Sequence, residues 1–92
     1  MYKITQYSYE QAKRLNVIIK PSNIKNKKID VFDKDNKKLA SIGDIRYKDY
    51  PTYILEKGIE YANERRRLYR SRHRDDLKNI GTPGYFANEI LW

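Results

Sequence analysis

Six arginines stand within ten residues, Arg65, Arg66, Arg67, Arg70, Arg72 and Arg74, in the stretch 58–74 that reads GIEYANERRRLYRSRHR. Only Glu60 and Glu64 oppose them there. Guanidinium groups are planar, permanently charged and donate in fixed forks, so their chemistry is the grip of phosphate or carboxylate rather than proton transfer. The stretch reads as one helix. At about 100° per residue, Ile59, Tyr61, Ala62, Leu68 and Tyr69 share one half of it, and Glu60, Asn63, Glu64, Arg67, Arg70, Ser71 and Arg74 the other. Arg67, Arg70 and Arg74, at spacings of three, four and seven, make a stripe about 10 Å long that is free to meet a ligand. Arg65, Arg66, Arg72 and His73 fall within the apolar half. They are expected on the domain's own surface, stems packed and guanidinium groups held by carboxylates or carbonyls.

A second basic group, Lys20, Lys25, Lys27, Lys28, Lys37 and Lys38, surrounds a region rich in strand-forming residues. The net charge of +8 and pI near 9.7 favour a polyanionic partner. Nucleic acid, DNA or RNA, comes first, an acidic protein surface second and anionic lipid third. The two basic groups form a continuous footprint only if strands and helix share a side.

Catalytic chemistry finds little support. With one histidine and no cysteine, a zinc site of the usual side chains is not available. His73, between Arg72 and Arg74, is read as packed at the helix end or touching a backbone group. Asp33/Asp35 and Asp75/Asp76 are explained as turn formers and solvated charge rather than as an acid–base pair. No glycine-rich loop carries the lysine and hydroxyl of a phosphate cradle. Gly58-Ile59-Glu60-Tyr61 is superficially similar to the opening of a GIY-type nuclease, but the second half of that motif is missing. The expectation is a protein that is not an enzyme and needs no cofactor and no metal.

The elements that must position these side chains can be read in order. Ninety-two residues make a single small domain, 1–92, burying roughly 65% of its unfolded surface. Nine tyrosines compensate for a thin aliphatic supply, because amphipathic rings cover a core while their hydroxyls stay wet. Ser8 and Gln11 fit a capping box for a first helix, which Asn16 can end in the left-handed conformation. Residues 17–20 are β-rich and closed by Pro21-Ser22. Residues 28–32 and 38–42 read as two strands joined by a turn at 33–36, with imperfect alternation that suggests a bulge. Gly43-Asp44 ends the sheet, 45–50 connect, and Pro51 or Thr52 opens the helical region, in which Gly58 is a break or a kink. Asp75 and Asp76 lie in a loop. Thr82 as N-cap and Pro83 at the first helical position restart a final helix whose apolar end must pack. The expected fold class is α+β: a small three-stranded antiparallel sheet packed by the long arginine-rich helix and a short C-terminal helix. Without a signal peptide or an apolar run of membrane-spanning length, the chain is expected to be soluble and intracellular, with no membrane partner.

A longer pattern runs through Lys28-Ile29-Asp30-Val31-Phe32-Asp33, Ile42-Gly43-Asp44-x-x-Tyr47-x-Asp49-Tyr50-Pro51-Thr52-Tyr53, Arg65-Arg66-x-x-Tyr69-x-x-Arg72-His73, Gly81-Thr82-x-Gly84-Tyr85-Phe86-Ala87 and Leu91-Trp92. Over roughly residues 14–92 it resembles an uncharacterised family of short basic proteins encoded by large DNA viruses of algae and amoebae, with shorter relatives in tailed phages. The residues before about Arg14 are less typical of it. The resemblance implies a viral gene product, located in the infected host cell, cytoplasm or nucleus, or in the virion. It carries no catalytic residues. Its residues Asp44, Asp49, Tyr50, Arg65, Arg66, Arg72, His73 and Trp92 are read first as structural, with the two aspartates as ion-pair partners of the inward arginines. The functional expectation is a viral nucleic-acid-binding protein contacting phosphates with little sequence specificity. The alternative is a virion structural or adaptor protein that grips acidic capsid or host protein surfaces.

Overall fold

Thr5, Asp49 and Thr82 each begin a helix by the same device. The side-chain oxygen accepts the backbone N–H three residues on, at Ser8, Thr52 and Tyr85, and so satisfies one of the donors every helix start leaves unpaired. In the computed structural model, which describes residues 2–92, these caps open α1 (Gln6–Arg14), α2 (Tyr50–Lys57) and α4 (Pro83–Leu91). The first cap lies at Thr5 rather than Ser8. Ser8 is fully buried one turn in, where its hydroxyl donates to the Ile90 carbonyl at 2.9 Å. That carbonyl belongs to the last turn of α4, where carbonyls have no donor within the helix, so the serine satisfies an acceptor across the interface rather than a donor at the cap.

Between α1 and α2 lies an antiparallel meander of β1 (Ile18–Pro21), β2 (Lys27–Phe32) and β3 (Lys38–Asp44), in the order β1-β2-β3. Asn16 leaves α1 with φ 62°, in the left-handed conformation expected of it. In the β2–β3 turn, Asp33 Oδ1 accepts the N–H groups of Asp35 and Lys37 at 2.9 and 2.8 Å. The register shifts between Val31 and Phe32, which is the irregularity the broken alternation implied. Register brings Ile19, Ile29, Val31, Ala40 and Ile42 to one face, and these join Ile4, Ala12, Phe86, Ile90 and Leu91 in a single core. The fold is α+β.

α3 (Ile59–Arg72) follows α2 after a break at Gly58 and packs against it. A short 3-10 turn, Arg74–Lys78, occupies the expected loop. The aromatic end of the chain is buried: Trp92 lies parallel to Tyr69 of α3 with ring centroids 4.3 Å apart.

One charge pair ties these layers together. Lys28 of β2 and Asp49 at the start of α2 are both buried, with Nζ–Oδ2 at 2.9 Å. Tyr2 donates to the same oxygen at 2.7 Å, and the Thr52 hydroxyl donates to Oδ1 at 2.6 Å. Burial alone would raise the Asp49 carboxyl; the Lys28 charge and the bonds from Thr52, Tyr2 and Lys28 outweigh it and hold the group below its ordinary value of 3.8. Burial and the bond to Asp49 push the Tyr2 phenol strongly up. A carboxyl depressed in the folded state stabilises fully at neutral pH and loses that contribution as pH falls below about 4, through the folded value.

Two predictions follow the packing. Lys28→Met leaves a buried carboxylate without its counter-charge and is expected to cost about 3 kcal/mol in urea unfolding at pH 7. The deficit should narrow as pH falls, because protonation removes the stranded charge; a deficit constant with pH would assign the loss to packing instead. Gly43 has φ +77°, and a Cβ there would sit 2.7 Å from Leu91 Cδ1 and 2.9 Å from Lys28 Cδ. Gly58 has φ +91° and open space around it. Gly43→Ala is therefore expected to destabilise by about 3 kcal/mol, overpacking added to strain, against about 1 kcal/mol for Gly58→Ala, as read by the shift in urea midpoint.

Candidate nucleic-acid interface

The buried stripe of α3 runs through Ala62, Arg65, Arg66 and Tyr69, with Arg70 at its edge. Relative to the apolar half read from the sequence it is rotated by roughly 40° about the helix axis. The reason lies in what covers the helix. α2 and the ring of Trp92 do so, so position on the wheel follows those two contacts and not the mean direction of the apolar residues. Ile59, Tyr61 and Leu68 consequently remain exposed.

The rotation rearranges the roles of the arginines. Arg65 and Arg66 do lie inward, but tyrosine rings rather than carboxylates hold them, with Arg66 Nη2 also donating to the Asn63 side-chain carbonyl at 3.4 Å. The Arg65 guanidinium sits 5.6 Å from the Tyr53 centroid and that of Arg66 4.0 Å from Tyr50. Tyr50 is in turn fixed by its hydroxyl donating to Asn63 Oδ1 at 2.7 Å. Arg72, placed in the buried half by the sequence reading, is exposed. Arg70, expected to be free, is half-buried, and its Nε is shielded without a hydrogen-bond acceptor, as is that of Arg65. Arg67 is exposed but engaged: Nε and Nη2 donate to the Glu64 carboxylate one turn earlier, a pairing that raises Arg67 and lowers Glu64. Arg74 is exposed. Among the described residues no carboxylate lies within ion-pair reach of Arg65, Arg72 or Arg74.

The lysines divide too. Lys28 is buried and its charge is taken by Asp49; a lysine in a strand of a small basic chain reads as solvated, and only the closure of α2 over it shows otherwise. Asp49 therefore pairs with a lysine, and Asp44 with Arg46, in place of the inward arginines expected of both. Hydrogen bonds from the Arg46 side chain and backbone N–H pull the Asp44 carboxyl down to about 2. Lys25 and Lys27 lie at the β1–β2 end of the sheet. Lys37 and Lys38 lie at the far end of β3, about 20 Å along the strand, with Lys38 Nζ 3.6 Å from Asp30. The basic footprint is thus two separate groups.

One of those groups meets the helix in a cleft of about 510 Å³. β2 contributes Lys27 and Lys28, the end of β3 Gly43 and Asp44, the following turn Tyr47 and Lys48, and α2 Tyr53. α3 supplies Arg65, Tyr69 and Arg72, continued by His73, and the last helix Ala87 and Leu91, followed by Trp92. All but Lys27 and Lys48 belong to the sequence pattern described above. His73 packs at the helix end as expected. Its ring stacks on Tyr69 at 4.4 Å, its Nδ1 stands 3.2 Å from Asp76 Oδ2, and its carbonyl accepts from Asn88 Nδ2 at 3.3 Å. Trp92, Tyr69 and His73 therefore form a continuous stack along the wall. Burial, and then the nearby Asp76 charge, raise the Tyr69 phenol.

The cleft is electropositive. Five cationic side chains line it, Lys27, Lys28, Lys48, Arg65 and Arg72, against the carboxylate of Asp44. Asp49 neutralises Lys28 and Glu56 pairs with Lys48, while Asp44 is already taken by Arg46. Lys27 faces Asp44 across the strands without forming an ion pair, and Arg65 and Arg72 have no carboxylate within ion-pair distance. Tyr47, Tyr53 and Tyr69, which the residue-by-residue reading did not single out as ligand-facing, supply the aromatic lining; the alternation of rings and cations in IRYKDY and RRRLYRSRHR was the available signal. Among the described residues no group of three His, Cys, Asp or Glu side chains gathers to hold a metal ion, and no helix is long and apolar enough to cross a membrane. No family model matches the chain, and no curated protein or solved structure is similar to it at a significant level.

The structural and free arginines can be separated by measurement. Arg66→Ala removes a guanidinium stacked on a buried ring and is expected to lower unfolding free energy by about 1 kcal/mol. Arg74→Ala should leave stability within about 0.5 kcal/mol of the parent, as for exposed surface changes generally. Equal effects in urea denaturation would show that the Tyr50 stack contributes nothing to the fold.

Proposed function

We propose that this protein is a non-enzymatic nucleic-acid-binding domain that holds phosphates with little sequence specificity. One observation carries the reading: Lys27, Arg65 and Arg72 converge on an aromatic-lined cleft, and none of the three has a carboxylate within ion-pair distance. Cations brought together and left unpaired repel one another, and an anion with several oxygens relieves that repulsion. Phosphate fits the forked donors of arginine, and rings beside cations suit a polymer of bases and phosphates better than an acidic peptide. Arg74, exposed just beyond α3, and Lys25 extend the positive surface on either side in the sequence. The proposed setting is that of the sequence resemblance, a viral gene product acting on nucleic acid in the infected cell or the particle.

A second reading, an adaptor for an acidic viral or host protein, is favoured by a different observation. Leu55 is 83% exposed and Ile59 51%, on either side of the Gly58 break. Apolar side chains rimmed by charge suit a protein partner. A pull-down from infected cells that recovers a stoichiometric protein complex, lost on Leu55→Asp, would favour that reading.

The test of the first is fluorescence anisotropy of labelled single-stranded DNA, duplex DNA and RNA across a salt series. Log K is expected to fall linearly with log salt. Replacing Lys27, Arg72 and Arg74 together by alanine should weaken binding and flatten the slope by about one unit for each phosphate contact removed. Affinity and slope unchanged in the triple variant would overturn the assignment.

A further inference from the structure

The cleft offers two different kinds of surface. Its cations without an ion pair lie on β2 and α3, and its accessible rings lie at Tyr47 and at the end of the Trp92–Tyr69–His73 stack. Both faces of Tyr69 are covered, by Trp92 at 4.3 Å and His73 at 4.4 Å, and Trp92 itself is buried. The imidazole of His73 has one face on Tyr69 while its side chain is 44% exposed, so the stack ends unfinished. Tyr47 is 68% exposed, with Arg46 5.9 Å from its ring. A planar ligand laid against these rings continues the column at no cost in core packing. The volume of about 510 Å³ lies within the roughly 300–1,000 Å³ of small-molecule sites, which suits one planar group and its charged substituent. Bases inside a duplex are stacked and paired and cannot enter such a space without leaving the helix.

We infer that the cleft seats one unpaired nucleotide of a single strand, its base against Tyr47 and His73 and its phosphate against Lys27 and Arg72. This deepens the phosphate-binding reading above and rests on it. It makes that reading a preference for strands with unpaired bases. Sequence tolerance is expected, because every base presents a π-face to a ring.

The experiment uses the chain's sole tryptophan, which lines the cleft. Trp92 emission is followed while the full-length protein is titrated with pentathymidylate, thymidine 5′-monophosphate, a blunt duplex and inorganic phosphate at fixed ionic strength. Anisotropy with labelled single-stranded and duplex DNA runs in parallel. Saturable quenching by pentathymidylate, weaker binding of the mononucleotide and no response to inorganic phosphate are expected. Tyr47→Ala, at an exposed position, should weaken single-strand binding about ten-fold while changing duplex binding by less than about two-fold. Circular dichroism checks that the variant is folded.

Nucleic acid binding by anisotropy without a Trp92 response or a Tyr47→Ala effect would overturn the cleft site and leave phosphate binding intact. No binding in either assay would overturn both. Mononucleotide binding as tight as the oligonucleotide would overturn the strand and make the occupant a free nucleotide. An equal response to inorganic phosphate would overturn the role given to the base.

Discussion

The Lys28–Asp49 pair is the interaction on which the rest of the architecture depends. Its carboxylate caps α2, receives the ammonium of the central strand and accepts the phenol of Tyr2, so one buried charge sets the position of three segments that are remote in sequence. A hydrophobic contact of the same size would tolerate sliding. A charge with its lone pairs assigned to Lys28, Tyr2, Thr52 and the α2 backbone does not, because any slip strands a charge in low dielectric. Whatever stability the pair itself contributes, it specifies how α2 lies on the sheet. Tyr50, Tyr53 and, through them, Arg66 and Arg65 inherit their places from that choice.

This ordering explains why some of the molecule was legible in the sequence and some was not. Local chemistry was readable: the Thr82-Pro83 helix start, the Asn16 left-handed exit, the Asp33 turn and the three antiparallel strands all follow from residues within a few positions of one another. The burial of Lys28 was not, because a lysine reads as solvated until something distant is known to close over it. The rotation of α3 was hidden for a similar reason. Its wheel contains a reasonable apolar half, yet the surfaces that cover it are α2 and Trp92, whose placement is tertiary. The two mistaken arginines, Arg70 and Arg72, sit at the two edges of the stripe, where a modest rotation exchanges covered for exposed.

The candidate site was legible in kind and not in membership. Charge composition and the arginine run pointed to an anionic partner, and the cleft retains that character. Which cations remain unpaired is decided by where Asp44, Asp49, Glu56 and Glu64 find partners, and three of those four pairings could not be counted along a helix. The aromatic lining was equally diffuse in sequence, spread from Tyr47 to Trp92, and becomes a wall only when the end of the chain folds back beside α3. Tyrosines that looked like a remedy for scarce aliphatics thus serve two purposes, enclosing a small core and leaving ring faces at its margin.

The contact between the first and last helices carries a consequence for how the chain acquires its structure. Ser8 donates to Ile90, Tyr7 to Trp92 and Arg14 to Glu89, so α1 docks on residues made long after it. The β-meander and the α2–α3 hairpin can form from neighbouring segments, whereas α1, which touches β1, gains its side-chain bonds to α4 only by a contact that spans most of the described chain. Until α4 docks, the Ile29 and Val31 face of the sheet lacks the cover of Phe86, Ile90 and Leu91.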